Sequence, residues 1–339
     1  MDKYRELLRL KKGALLEIEK DGLCLAPDMG GRVFASVCGL TMHRIDLDNT
    51  ANPNQPFNNF GGANFWPAPE GGKFGFNYRG NEWYVQESIN NQPFTVTSFN
   101  RTSALIEKEA QLRNRAGKIV ETRIKRRLTS SPLPSLFRNC SLKDSLAYIT
   151  EDSFEVLNPV SPEEGLIAGW TLEQFDATED TISFCRVEKP EEAINFDFYE
   201  HPGDKITYYQ NGFAYRTDGL QKGQVGVKKD ANPQMIGFLD RKRNILCVRQ
   251  NLTLPDGNLY FNIADNVQPE GPFSAADTYS IFNSGPEMGF FELETIGGAN
   301  VRESRLIGSQ LTSLTSFAVF KEQKELNNLV NEIMGQAQV

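Results

Sequence analysis

Histidine is almost missing from this chain: His43 and His201 are its only two. Metal sites built on three imidazoles are therefore impossible, and a Ser or Cys triad would have to use one of those two. Other chemistry-bearing patterns are absent as well. There is no G-x-x-x-x-G-K-[ST] phosphate loop, no G-x-G-x-x-G after a strand, no H-E-x-x-H and no G-x-S-x-G elbow. Nothing in the pattern calls for a cofactor or a metal. No apolar run approaches the ~20 residues that a membrane-spanning helix needs. Positive charge is in deficit, with a net charge of −8 and a pI of about 5.1, so long-range attraction to nucleic acid or anionic membranes is not expected. The one basic cluster, Arg123 to Arg127, falls inside an alternating segment and reads as a solvated strand face.

Cysteine pairs with short spacing are also lacking: Cys24, Cys38, Cys140, Cys185 and Cys247 are scattered and odd in number. Cys38, Cys185 and Cys247 lie in apolar, strand-like runs and read as small hydrophobes, which fits a reducing compartment. Met1 to Lys12 is charged and periodic, unlike the apolar core of an export signal. The expected location is cytoplasmic, or periplasmic if such a signal has been trimmed. The oligomeric state is not readable.

What the chain does have is alternation. Apart from an amphipathic helix over residues 1–12 ended by Gly13, no helical pattern of useful length precedes Phe320. Short alternating runs separated by Gly, Asn, Asp and Pro fill the interval, the signature of an all-β domain. The clearest hairpin spans Ala104 to Leu128, with apolar Ala104, Ile106, Ala110 and Leu112 returning as Val120, Ile124 and Leu128 after an Asn-Arg-Ala-Gly turn. Further predicted strands include Leu166–Gln174, Thr181–Val187, Asn258–Ile263, Gly289–Ile296 and Leu311–Phe320. Ile245 to Val248 is apolar on both faces and should be a central strand covered on both sides. A closing helix over residues 321–335 presents Leu326, Leu329, Val330 and Ile333 to the sandwich and stops at Gly335. With no linker or repeat, residues 1–339 read as one two-sheet domain.

Two stretches carry candidate chemistry. Asn59 to Gly72 packs four glycines, two prolines, Asn64, Trp66 and Glu70 into fourteen residues, a composition that excludes a helix and points to tight turns. It reads either as the aromatic wall of a polar ring-binding site or as a packed β-corner. In Gly289 to Thr295, period two puts Phe290, Glu292 and Glu294 on one face. Two carboxylates ~6.5–7 Å apart along a strand repel each other, which raises one pKa and suits it to base catalysis; two solvated acids are the plain alternative. Trp170 and Gln174 share another strand face, as sugar sites require, although Trp170 would serve equally as core. Asp277, Tyr279 and Asn283 could add hydrogen bonds to the Glu294 face or merely satisfy a turn. His201, in a loop, is either a general acid or simply exposed.

Five motifs, taken together, carry a resemblance. They are G-G-R-V (Gly30 to Val33), F-G-G-x-x-F-W-x-x-P-E-G-G (Phe60 to Gly72), G-x-x-x-x-W-T-L-E-Q-F (Gly165 to Phe175), Y-S-I-F-N-S-G-P (Tyr279 to Pro286) and G-F-F-E-L-E-T (Gly289 to Thr295). From about Leu15 to Phe320 the chain resembles a bacterial family of largely uncharacterised proteins related to galactose mutarotase. The resemblance implies an antiparallel β-supersandwich with short terminal helices and a sugar-sized cleft on its concave sheet. It implies a late-strand glutamate as general base, Glu294 first and Glu292 second, and a carbohydrate as partner. Two departures stand out: no arginine within Gly61 to Glu70, and no counterpart of the mutarotase histidine motif other than His201. The functions to weigh are an aldose 1-epimerase-like isomerase, a non-catalytic sugar binder, and a scaffold with a vestigial cleft.

Overall fold

Period-two alternation builds two antiparallel sheets. The computed structural model describes residues 2–54, 56–196, 200–253, 259–260 and 277–335, and among them one sheet has ten strands and the other twelve. The ten-stranded sheet runs from Leu16–Glu19 through Leu23–Ala26, Arg32–Val37, Ala63–Ala68, Ala168–Asp176, Phe290–Ile296, Asp277–Asn283 and Gly223–Lys228 to Ile194–Asn195. The larger sheet is built on the long strands Arg305–Phe320, Leu142–Val156, Ile119–Ser131 and Ser103–Arg113. Phe65, Phe291 and Leu293 from the first sheet meet Phe154, Phe238 and Phe317 from the second in one apolar core. Burying these rings supplies most of the driving force that holds the sheets together.

The predicted hairpin forms, with burial alternating along both strands. Asn114 closes its turn by accepting the Lys118 amide, and Gly117 takes the positive φ of +90°. The basic cluster is not wholly solvated, which corrects the sequence reading. Arg126 shares the inward parity of Ile124 and Leu128, is 1% exposed, and pairs with buried Asp152 at 3.1 Å. It also donates to the Gly31 and Ala63 carbonyls, tying the two sheets together. Arg123 stays outside, paired with Glu109 and Glu155.

Ile245–Asn251 is central, between Pro233–Asp240 and Arg305–Phe320. Its outer face is covered by the C-terminal helix, Gln323–Met334, which buries Leu326, Leu329 and Ile333 against Leu246 and Val248. The N-terminal helix, Lys3–Leu10, is capped by Asp2 and buries Tyr4 and Leu7 against Cys24, Phe34 and Phe60. The α-helices between them are only four or five residues long. Of the predicted strand Asn258–Ile263, only Leu259–Tyr260 falls among the described residues, paired with Gly298 and Ala299. Cys38 is also corrected: it sits exposed in a tight turn at φ +43°, because its strand ends at Val37, whereas Cys185 and Cys247 are buried. No described helix is long and apolar enough to cross a membrane.

The space between the sheets also holds charge. Glu173 accepts hydrogen bonds from Tyr148 and Thr315, each at 2.9 Å, and Arg249 Nη2 lies 3.4 Å away. His43 Nε2 stands 3.5 Å from the same carboxylate, while its Nδ1 accepts the Ala35 amide. Burial pushes Glu173 up, but Arg249, His43 and Thr315 outweigh it and hold the carboxyl down at about 2.

Candidate active site

The other face of the ten-stranded sheet forms a cavity of about 270 Å³. Cross-strand register places its side chains in rows, since paired residues in a sheet share a face. Trp66 lies beside Trp170. One row on, Asn64, Leu172, Glu294 and Ser280 succeed one another across four strands. In the next row Gln174, Glu292 and Phe282 do the same. Gly61 and Gly62 bring the chain to this face at φ +86° and +74°; a Cβ on Gly61 would collide with the Arg44 carbonyl oxygen. No residue with a side chain fits that approach.

The two carboxylates form one unit. Glu294 is 1% exposed and Glu292 8%, and the two stand two residues apart on one face of the same strand. Trp170 Nε1 donates to Glu294 Oε2 at 3.1 Å, and Gln224 Nε2 donates to the same oxygen at 3.3 Å and to Ser280 Oγ at 2.9 Å. Gln174 Nε2 donates to Glu292 Oε1 at 2.8 Å. The orientation of that amide is set by Arg44, which donates to Gln174 Oε1 at 3.2 Å while paired with Asp46 at 3.0 Å. Burial raises Glu292 to about 7, against the pull of Gln174, Glu294, Arg44 and Arg32. Burial and then the Glu292 charge raise Glu294 well above the carboxylate range. Two buried acids on one strand face disfavour each other's ionisation, which favours a single shared proton near neutrality.

Aromatic rings and a buried cation complete the wall. The Trp66 and Trp170 rings stand at 88° with centroids 6.0 Å apart, and Phe57 contacts both Trp66 and Trp83 edge-to-face. Trp83 Nε1 donates to Glu70 Oε1 at 2.9 Å. Arg32 is 1% exposed and spends its donors on the Met29 and Gly61 carbonyls and on Asn90 Oδ1. Burial, with Arg126 and Arg44 adding to it, lowers Arg32 to about 9, so it stays charged at neutral pH.

Of the residues singled out in the sequence, Asn64, Trp66, Glu70, Trp170, Gln174, Glu292 and Glu294 all line this cavity. Asp277, Asn283 and His201 do not. Asn283 has the opposite parity to Ser280 and Phe282, which pair with Glu294 and Glu292, so it points away from the pair; Asp277 lies beyond a bulge in the same strand, outside the cavity lining. Asp277 is held by Asn195, and Asn283 braces a turn through the Gly219 amide and the Gln221 carbonyl. His201 is exposed, with its Nδ1 accepting the Gly203 amide and its ring against Phe196. Arg32, Gln224 and Trp83 escaped the sequence reading. Arg32 lies in the G-G-R-V motif and lines the cavity from the strand beside Ala63–Ala68. Gln224 and Trp83 carry no local signal; strand order and a turn bring them in.

Residues 3–337 match the model of a family of unknown function, DUF6786. None of the curated proteins matches the sequence. Among solved structures, the GalM/aldose epimerase homologue from C. elegans superposes with a TM-score of 0.52 at 10% identity, over 91% of this chain and 99% of that one. The galactose mutarotase related enzyme from Lactobacillus acidophilus does so with a TM-score of 0.50 at 10% identity, over 96% and 100%. At these identities the likeness establishes the fold, a galactose-mutarotase-like antiparallel β-supersandwich.

Proposed function

This chain belongs to the DUF6786 family of unknown function, and we propose that its cavity binds a single-ring carbohydrate and interconverts its anomers. The observation that carries the reading is the Glu292–Glu294 pair, buried on the cavity face of one strand beside indole rings, with both carboxyls raised by that burial. At about 270 Å³ the cavity sits near the lower end of the ~300–1,000 Å³ typical of small-molecule sites, which suits one ring better than a chain.

The pair divides into base and acid. Gln174, oriented by Arg44, donates to Glu292 and favours its ionised form, so the shared proton resides on Glu294. Glu292, the more exposed of the two, takes the proton of the anomeric hydroxyl while Glu294 gives its own to the ring oxygen. The C1–O5 bond breaks and an open-chain aldehyde forms. Rotation about C1–C2 and reversal of the two proton transfers close the ring on the other face. This reverses the order of roles that the resemblance suggested, with Glu292 as base. The hydroxyl and ring oxygens are both bonded to C1, so adjacent carboxyls serve them.

Polarimetry on a panel of freshly dissolved aldoses tests the reading. Accelerated anomer exchange that collapses in Glu292→Gln and Glu294→Gln is expected; unchanged rates in both variants would sink it. A second reading, a non-catalytic sugar binder, draws on the position of both histidines outside the cavity lining. It predicts saturable binding with no turnover for any sugar.

A further inference from the structure

The chain has three tryptophans, and all three line the cavity. Two of their indole donors are spent on cavity carboxylates: Trp170 on Glu294 and Trp83 on Glu70. The third, Trp66 Nε1, is buried with no acceptor, although Trp66 is 5% exposed and lies on the cavity wall. Folded proteins seldom keep a buried N–H unpaired, and one facing a cavity marks where a ligand acceptor belongs. Asn64 stands one row along the same strand face and also lines the cavity. Its Oδ1 accepts the Phe65 amide, and its Nδ2 has no acceptor among the described residues.

These donors are separated from the acid–base pair. The Trp66 strand and the Glu294 strand flank Ala168–Asp176, so two strand spacings, roughly 9–10 Å, lie between their backbones. An oxygen bound by Trp66 is therefore not one bound by Glu292. Trp66 is also held between Phe57 and Trp170, at 71° and 88°, which ties its ring to protein neighbours.

We propose that Trp66 is a specificity-determining hydrogen-bond donor, whose Nε1 reads a hydroxyl oxygen of the sugar remote from C1, with Asn64 Nδ2 reading its neighbour. The proposal rests on the carbohydrate reading of the cavity. It adds that the sugar is selected by oxygens at the far end of the ring, and that an analogue deoxygenated there is discriminated against. Contacts of this kind hold the ring so that C1 meets the carboxyl pair, and their loss would show in affinity before it shows in the proton-transfer step.

The experiment is calorimetric titration of the intact protein, wild type and Trp66→Phe, with an aldose that the wild type binds and with its monodeoxy series. Phe keeps an aromatic ring and removes the N–H. Affinity for the parent sugar should fall about 3- to 10-fold, as expected for one net hydrogen bond, without loss of thermal stability. One monodeoxy analogue should bind wild type and variant equally, and Asn64→Ala should single out an adjacent position in the same way. If Trp66→Phe fails to fold, benzothienylalanine at position 66 replaces the N–H with sulfur at nearly constant shape and makes the same test. Equal affinity of wild type and variant for the parent sugar would overturn the proposal. So would an equal loss for every analogue, which marks a general packing defect. If no aldose binds the wild type, the carbohydrate reading falls and takes this proposal with it; sugar binding with an indifferent Trp66→Phe defeats this proposal alone.

Discussion

Glu173 and Glu294 occupy neighbouring strands of one sheet, pair one residue out of step, and are equally buried, yet they sit on opposite faces. Between the sheets, Glu173 meets Arg249, Tyr148, Thr315 and His43, and is held at about 2. On the cavity face, Glu294 meets an indole, an amide and a second carboxylate, and is raised well above its ordinary value. Burial pushes both the same way, so the difference lies in the company: a guanidinium on one face, a like charge on the other. The fold spends its counter-charge where it joins the sheets and withholds it on the cavity face. Under the proposed function, the first carboxylate is structural and the second is chemical.

The contrast can be broken by swapping readouts. Glu294→Gln should lower anomer exchange by about 10²–10⁴-fold, the usual worth of a positioned acid or base, while leaving the urea midpoint unchanged or higher. Glu173→Gln should do the reverse, leaving Arg249 buried without its partner at a cost of about 3–5 kcal/mol in urea unfolding. Equal destabilisation by the two variants would erase the distinction.

Stability against pH sharpens it. Glu173, held at about 2 against an ordinary 4.5, binds fewer protons folded than unfolded across that interval. Its stabilisation is complete above about pH 4.5 and is lost as pH falls toward 2, an effect on the order of 3 kcal/mol. Glu292, raised from 4.5 to about 7, binds more protons folded, so stability declines as pH rises through that range. Denaturation series should show both limbs in wild type, a weakened neutral limb in Glu292→Gln, and only the neutral limb in Glu173→Gln.

A smaller effect separates Glu292 from its support. Arg44→Met removes a charge that holds Glu292 down and frees the Gln174 amide to turn. The lower limb of the activity profile should move up by about a pH unit or less, with sugar affinity little changed. A profile that stays in place would detach Arg44 from the proton-transfer step.

Much of the cavity could be read locally. Alternation in Gly289 to Thr295 put Glu292 and Glu294 together, and the same rule joined Trp170 to Gln174. Asn59 to Gly72, read as tight turns, instead contains the strand Ala63–Ala68, which sets Asn64 and Trp66 on one face. Parity within a strand needs no knowledge of its neighbours. Asn283 turned out to brace a turn, the second of the two readings the sequence left open, and only the Ser280↔Glu294 register and a bulge before Asp277 decided between them. Arg126 was misread for a related reason: Asp152, which neutralises it, lies on the next strand of the larger sheet. Gln224 and Trp83 had no local mark, since each reaches the cavity through strand order or a distant turn, and the G-G-R-V motif gave Arg32 no role by itself.

The sequence by itself determined the all-β class, the two terminal helices and the division of each strand into two faces, because side-chain period and helix punctuation are local properties of the backbone. Tertiary structure decided which face looks into the cavity and which is sealed against the second sheet. The strands carrying Trp66, Trp170 and Glu294 are adjacent in the sheet but far apart in the chain, and no local pattern encodes that adjacency. It also decided that Arg249 would stand beside Glu173 and not beside Glu294. That placement made one buried carboxylate a permanent anion and left the other a proton to share.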